Sequence, residues 1–222
     1  MTDTFKYKLA STYRTLDING TKLLKVRKLV RDCKMDLPWG DEKTVKFVTN
    51  VGLITSNGPD GHNIQAAEWT HHVSYSPGLI AVCLGKDRTT RENILATKEF
   101  GVSLAAADQN IMSSVAGGSH GKDVDKIKAL EELGFKFYKA KKINTLMVEG
   151  AALNAECKVV NVIELGDHTM FVGEVQEATA GKKEPLVYHG LKFWKLGEAI
   201  TKPAVSELGK IKSTVEKFRK AG

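Results

Sequence analysis

Five stretches are rich in Val, Ile, Leu and Phe and are bounded by Gly, Asp or Asn: residues 45–55, 79–84, 100–105, 153–165 and 170–177. Runs of this kind predict β-strands. Gly166-Asp167 separates the last two and predicts a hairpin, because that pair tolerates positive φ. A further extended piece, residues 63–73, lies between the turn cluster Ser56-Asn57-Gly58-Pro59-Asp60-Gly61 and Ser74-Tyr75-Ser76-Pro77-Gly78. Helices are predicted over 89–98, where Thr89 and Glu92 make a capping-box pattern, and over 108–116, from Asp108 to a stop at Gly117-Gly118. A third is predicted over 123–133, with Gly134 as its stop. Near the end of the chain Val205, Leu208, Ile211, Val215 and Phe218 recur at steps of three and four, which places them on one helix face. That stripe predicts docking on the body or on a partner subunit. Its few bulky aromatics disfavour a membrane surface.

The pattern divides the chain into an N-terminal extension, 1–44, a strand-rich domain, 45–196, and a basic helical tail, 197–222. In the extension two-residue alternation is weak, and Pro38-Trp39-Gly40-Asp41 marks a break. Many short strands with a few inserted helices predict a mainly β fold with α additions, a β-barrel. No strand leads into Gly-x-Gly-x-x-Gly and a helix, so a doubly wound dinucleotide fold is disfavoured.

Composition adds limits. The chain has 222 residues, 42% hydrophobic and 27% charged, ordinary values for a soluble globular protein. No apolar run approaches the roughly 20 residues that span a bilayer, and the first residues lack a secretory core, so a cytoplasmic protein without a membrane partner is expected. Cys33, Cys83 and Cys157 have no metal-ligand spacing, and Cys83 and Cys157 sit in apolar runs that predict buried thiols. The net charge of +7 is concentrated at Lys22, Lys25, Arg27, Lys28, Arg31 and Lys34 and again at Lys202, Lys210, Lys212, Lys217, Arg219 and Lys220. Such a balance attracts anions. Without a reading helix, a zinc module or exposed aromatics among the basic residues, a nucleic-acid partner is not expected.

Candidate chemistry lies between residues 63 and 93. A helix starting near Thr89 would present unpaired N–H groups and a positive dipole end to a phosphate. Arg88 can grip two phosphate oxygens as a planar fork, with Thr89 and Thr90 supplying hydroxyls. Alternatively Thr89 and Glu92 cap the helix and Arg88 is solvated. Asn63 and Gln65 can pair with the edge of a flat ring, Ala66 and Ala67 allow close approach, and Trp69 offers an apolar wall or a core side chain. His71-His72 point to opposite faces on a strand and make a poor metal pair, so no metal is expected. His120 stands in the glycine-rich Gly117-Gly118-Ser119-His120-Gly121-Lys122 loop, which can move.

The succession Val51-Gly52-Leu53-Ile54-Thr55-Ser56, Asn63-Ile64-Gln65-Ala66-Ala67-Glu68-Trp69-Thr70, Ser74-Tyr75-Ser76-Pro77 and Arg88-Thr89-x-x-Glu92-Asn93-Ile94 resembles the flavin reductase-like, FMN-binding split-barrel family, particularly its flavoredoxin-like branch. Phe100-Gly101-Val102-Ser103 with Gln109, Asp125-Lys126, Leu153-Asn154-Ala155-Glu156-Cys157 and Tyr188-His189-Gly190-Leu191-Lys192-Phe193 extend the resemblance over about 44–196. It implies an antiparallel split β-barrel that dimerises, with FMN rather than FAD in a groove between subunits. By the same resemblance Asn63, Gln65, Ala66, Ala67, Glu68, Trp69 and Thr70 line the isoalloxazine ring. Ser74 and Ser76 stand by the ribityl chain, and Arg88, Thr89, Thr90 and Asn93 hold the phosphate. The loop with His120 and Lys126 covers the flavin, and His189 neighbours the ring. Flavin N5 would take a hydride from NAD(P)H and pass electrons to a flavin, an iron complex or a protein, with His120 as the candidate catalytic group. The other readings are a non-enzymatic FMN electron carrier serving a protein partner and an anion-binding surface protein without flavin. The N-terminal extension and the basic tail depart from the simple family pattern.

Overall fold

The computed structural model describes residues 17–18, 21–22, 35–200 and 203–220. Cys33, Lys25, Arg27, Lys28, Arg31, Lys34 and Lys202 lie outside the described residues. The chain forms two compact units, 1–45 and 46–222. In the first, β1 (Asp17–Ile18) pairs antiparallel with β2 (Thr21–Lys22). The expected break at Pro38-Trp39-Gly40-Asp41 is a turn, closed by Asp41 N–H donating to the Pro38 carbonyl at 3.1 Å.

The second unit carries the strands β3 (Thr49–Asn50), β4 (Gly52–Gly58), β5 (Gly61–Ala67), β6 (Thr70–Tyr75) and β7 (Gly78–Gly85). Helix α1 (Thr89–Thr97) and β8 (Glu99–Leu104) follow, then α2 (Asn110–Gly118) and α3 (Lys126–Glu132). The chain continues through β9 (Phe137–Lys139), β10 (Leu146–Val148), β11 (Leu153–Leu165), β12 (His168–Ala180), β13 (Val187–His189), β14 (Lys192–Trp194) and α4 (Val205–Lys217). Seven strands form one antiparallel sheet in the order β5-β4-β8-β11-β12-β7-β6. Its two edges, β5 and β6, are consecutive in the chain, so the sheet curls into a barrel that stays split between them. A small sheet, β14-β13-β3, and the β9–β10 hairpin lie beside it. The expected mainly β architecture with α additions is therefore the one observed.

β4 explains why its sequence reads as a continuous apolar run rather than an alternation. It is buried on both faces: Ile54 points into the barrel core with Val82, Leu84, Phe100, Val102 and Phe171, and Leu53 into an outer layer with Ile64, Met112, Ala116, Ile127 and Leu130. α2 and α3 close that outer layer. Cys157 is fully buried in the barrel, where desolvation pushes its thiol up to about 12, and the half-buried Cys83 thiol is also raised by burial. Both are poor nucleophiles, in line with the expectation of inert thiols.

Four local expectations change. Residues 45–55 do not form one strand: a 3-10 turn (Thr44–Lys46) precedes β3, which joins the small sheet, and β4 joins the large one. The piece 63–73 breaks at Glu68-Trp69, which sends β5 and β6 to opposite edges. The capping box at Thr89 is absent; Arg88 is the N-cap residue and makes no side-chain cap. α2 starts at Asn110 because Asp108 is drawn away to Lys183, 2.6 Å from its Nζ. By contrast, Gly166-Asp167 makes the expected two-residue hairpin between β11 and β12. Gly134 ends the third helix at a φ of +87°. Among the described residues no helix is long and apolar enough to cross a membrane.

Candidate functional site

The turn that enters α1 sits against β5. Asn63 on β5 is buried and its Nδ2 donates to Thr90 Oγ1 at 2.7 Å, which fixes strand to helix. Asn93, one turn later, donates from Nδ2 to Ser56 Oγ (3.2 Å) and to the Gly61 carbonyl (2.9 Å), and its Oδ1 accepts the Asp60 N–H (3.2 Å). Asn93 therefore braces the β4–β5 turn, and its amide has no group left for a phosphate. Thr90 accepts from Asn63 and keeps its hydroxyl proton to donate. Thr89 differs. It is 2% exposed, and its Oγ1 is buried without a hydrogen-bond partner in the chain. A buried unpaired hydroxyl is costly; Thr55 Oγ1 and Thr145 Oγ1 share this state, and Thr89 is the one that stands beside Arg88 at the start of α1. Arg88, next to it, is half-exposed and touches only the neighbouring Asp87 carboxylate, at 3.4 Å.

A strap between α2 and α3 lies over this turn. His120 Nδ1 accepts the Lys122 N–H (3.3 Å), which leaves the ring proton on Nε2 to donate to the Asp87 carbonyl at 3.1 Å. Lys122 Nζ pairs with Glu92 at 2.9 Å, and that hydrogen bond holds the Glu92 carboxyl below its usual range. Gly121 is packed so closely that a Cβ would stand 2.6 Å from Asn63 Oδ1 and 3.0 Å from Thr89 Cβ. Beneath the strap is Lys126, the first residue of α3 and 3% exposed. Its Nζ donates to the Ala116 (3.2 Å) and Ser119 (3.4 Å) carbonyls and has no carboxylate partner. Burial, followed by the charge of Arg88, lowers its pKa to about 8. Two cations, a buried hydroxyl and the first N–H groups of the nine-residue α1 thus converge; of the nearby acids, Asp87 pairs with Arg88 and Glu92 with Lys122, and neither pairs with Lys126. That set suits an anion of the phosphate class.

The remaining predicted positions run along β5 away from this turn. Gln65 is half-buried, and its amide makes no hydrogen bond among the described residues. Ala66 faces Gly117, with 3.3 Å to the position of a Cβ there. Ala67 is buried in the barrel core. Glu68, Trp69 and Thr70 line a cavity of about 530 Å³ together with Asn50, Cys83 and Val187. In it, Asn50 Oδ1 and Thr49 Oγ1 are buried without partners. Burial raises the Glu68 carboxyl, partly offset by His168. The Trp69 ring lies 4.5 Å from the His168 ring and is not a core side chain. His189 borders this region, two residues beyond Val187, with Nδ1 3.2 Å from the Phe47 carbonyl.

Two positions are not brought to the phosphate end. Ser74 and Ser76 flank the turn at the start of β7, whereas Arg88 follows its end. Seven residue steps of strand, roughly 23 Å, separate them, so within one chain they cannot stand beside a ribityl group anchored at Arg88. His71 and His72 depart from simple alternation because a bulge follows at Val73, and their rings lie 4.6 Å apart on the exposed edge. Among the described residues no three metal-ligating side chains gather. Sequence reasoning missed the Glu92–Lys122 pair and the clasp of His120 on a backbone carbonyl, since both join segments some 30 residues apart.

A family model for the flavin reductase like domain matches residues 44–197. The chain belongs to the flavin reductase-like domain family. The NADH-dependent FAD reductase of Streptomyces globisporus is 30% identical over 149 residues, 66% of this chain and 79% of that protein. The ferric-chelate reductase (NAD(P)H) of Archaeoglobus fulgidus is 28% identical over 160 residues, 71% of this chain and 91% of that protein. Among solved structures, the Streptomyces globisporus C-1027 NADH:FAD oxidoreductase superposes with a TM-score of 0.64 at 25% identity, covering 75% of this chain and all of that one. Within this flavin reductase-like domain the Asn63–Thr89–Lys126 corner and the Glu68–Thr70 cavity are the two ends of one strip along β5.

The lowered pKa of Lys126 makes a stability prediction. Its folded-state value, about 8, lies below the ordinary 10.5, so the unfolded chain binds the extra proton between these values and stability rises with pH across that window. Relative to Lys126→Met, the wild-type protein should gain up to about 3 kcal/mol between pH 7 and 10.5. Urea denaturation of both proteins at several pH values measures the difference, and a pH-independent difference would show the ammonium to be well solvated.

Proposed function

We propose that this flavin reductase-like chain binds FMN with the phosphate on the α1 entry turn, accepts electrons from NADH or NADPH, and delivers them to a flavin, an iron complex or a protein. The observation that carries the reading is the buried, partnerless Thr89 hydroxyl beside Arg88 and Lys126. When bound, the flavin supplies hydride acceptance and onward electron transfer. The chain supplies the rest. Arg88 and Lys126 neutralise the phosphate, and the Thr89 hydroxyl and α1 N–H groups donate to it. The free Gln65 amide and the backbone of residues 66–70 meet the ring edge, and Ala66 leaves room for close approach. The strap excludes water from the phosphate end. Names of relatives include an FAD reductase, so titrations with FMN and FAD side by side decide between the two.

Arg88→Ala should weaken FMN binding by about 1.5–3 kcal/mol, roughly 10- to 100-fold in Kd. Fluorescence titration measures it, and an unchanged Kd removes Arg88 from the site.

His120 is a positioning group in this reading. Its clasp on the Asp87 carbonyl keeps the strap over the turn, and the glycines around it let the strap move aside for a nicotinamide. His120→Ala should leave FMN affinity nearly intact and slow flavin reduction by NADH or NADPH in stopped-flow experiments. Reduction at the wild-type rate across nicotinamide concentrations contradicts the role. If the wild-type protein binds FMN and neither nicotinamide reduces it, an electron carrier replaces the reductase.

A homodimer is part of the same proposal. The β6 edge is unpaired and carries the exposed Val73 and Tyr75, the latter 89% accessible, and Trp69 is half-exposed beside the cavity. A second copy against this edge would cover them and bring Ser74 and Ser76 to the other subunit's strip. Light scattering should give twice the chain mass at micromolar concentration; a monomer that binds FMN normally rules the shared site out.

A further inference from the structure

α4 is left bare. Every residue from 203 to 220 is exposed, and the stripe Val205, Leu208, Ile211, Val215, Phe218 keeps as much as 87% accessibility at Val205 and 79% at Phe218. Of the two covers expected for this stripe, the body and a partner subunit, the body does not supply one. We propose that α4 is a docking helix for an anionic lipid surface.

Charge selects this occupant. Between residues 203 and 220 stand Lys210, Lys212, Lys217, Arg219 and Lys220 against Glu207 and Glu216. Both carboxylates are already engaged. Glu207 accepts the Ala204 N–H at 3.0 Å, and Glu216 pairs with Arg219 at 3.1 Å. The four lysines have no carboxylate partner among the described residues. At 100° per residue, Leu208, Ile211 and Val215 fall in one sector of about 60°, with Phe218 at the C-cap extending it; Lys212 separates this sector from Val205 on one side, and Glu207 borders it on the other. A bilayer interface takes both: apolar side chains enter the acyl boundary, and bordering cations stay at the headgroups. A second copy fits less well. The repeat Leu208/Val215 with Ile211/Phe218 lasts two heptads, fewer than a coiled coil requires, and pairing two such helices doubles the cationic excess. An α-helix of 13 residues is also marginal in water without a surface against it. Interfacial docking needs no spanning segment and does not rest on the flavin reading.

The test is co-sedimentation of the full chain with phosphatidylcholine vesicles and with mixed phosphatidylcholine–phosphatidylserine vesicles at low and high salt. The expected result is binding at least about tenfold stronger to the anionic vesicles, falling as salt screens the charges. Leu208→Asp and Phe218→Asp, whose side chains are exposed, should each reduce it severalfold while circular dichroism shows the fold retained. Equal or absent sedimentation with both vesicles overturns the proposal. Wild-type binding by both variants also overturns it, because a diffuse basic surface then suffices. If the variants instead change the mass in light scattering while vesicle binding is absent, a second copy covers the stripe and the lipid proposal falls.

Discussion

An edge strand must be covered, and much of the candidate site follows from how β5 meets that requirement. β5 pairs with β4 on one side only, so its other edge exposes unpaired N–H and C=O groups. The chain covers it with α2, α3 and the strap between them rather than with another strand. Gly117 comes down on Ala66, and Gly121 on Asn63 and Thr89. Asn63 in turn fixes Thr90, and with it the direction of α1. A cover made of loop rather than strand leaves part of the backbone edge available to a flat ring, and it can lift without breaking the sheet. Close packing at Gly121 has the further consequence that no larger residue fits there while Asn63 keeps its bond to Thr90.

Magnitudes separate what holds the strap from what merely decorates it. The Lys122–Glu92 pair is short, 2.9 Å, but both side chains are nearly half exposed, and such pairs contribute about 0–1 kcal/mol and weaken in salt. Lys126 is the stronger constraint because its ammonium is buried and satisfied only by the Ala116 carbonyl in the last turn of α2 and the Ser119 carbonyl of the strap. Without an anion, that buried charge opposes the fold. With a phosphate above Arg88 and Thr89, the same charge becomes an attraction, and the carbonyls that now hold Lys126 stay where they are. Of the cations at this corner, Arg88 and Lys122 have carboxylate partners in Asp87 and Glu92, and Lys126 is the one held by carbonyls alone.

The strand content was legible in the sequence wherever a strand is buried on both faces or ends in a turn with its own chemistry. β4, β7, β8 and β11 read as apolar runs, and Gly166-Asp167 reads as a hairpin. Legibility failed where a distant partner decides. Residues 45–55 look like one strand, yet Val51 uses its carbonyl for Ala105 N–H, and the chain changes sheets there. Thr89 and Glu92 have the spacing of a capping box, but Glu92 is taken by Lys122 and Thr89 is buried beneath Gly121. In the candidate site, Arg88 and Thr89 were expected at the phosphate and Lys126 in the covering loop, and the structure places Lys126 close enough to Arg88 for their charges to interact. Asn93 is a brace, because only the folded chain shows that Ser56, Gly61 and Asp60 take up its amide, while Thr90 accepts from Asn63 and keeps its own hydroxyl proton.

The bare edge opposite β5 bears on how the strip can be completed. β6 carries His71, His72 and Tyr75 as a cluster of tilted rings, centroids 4.6 and 5.3 Å apart, on the outside of the barrel. The adjoining cavity holds the orphaned Asn50 Oδ1 and Thr49 Oγ1 and a carboxyl, Glu68, that burial raises. Each is unfavourable in an isolated chain: an unpaired β edge, unmet acceptors, a desolvated acid. All three lie at one end of the strip, and Arg88 and Lys126 lie at the other. A ligand with its anionic group at Arg88 and a hydrogen-bonding ring toward Glu68 would relieve both ends at once, and a second chain against β6 would relieve the edge. Two further buried hydroxyls without partners among the described residues, Thr55 Oγ1 and Thr145 Oγ1, lie away from this strip, so it is the pairing of unmet groups with the lowered Lys126 and raised Glu68 at its two ends that sets the strip apart.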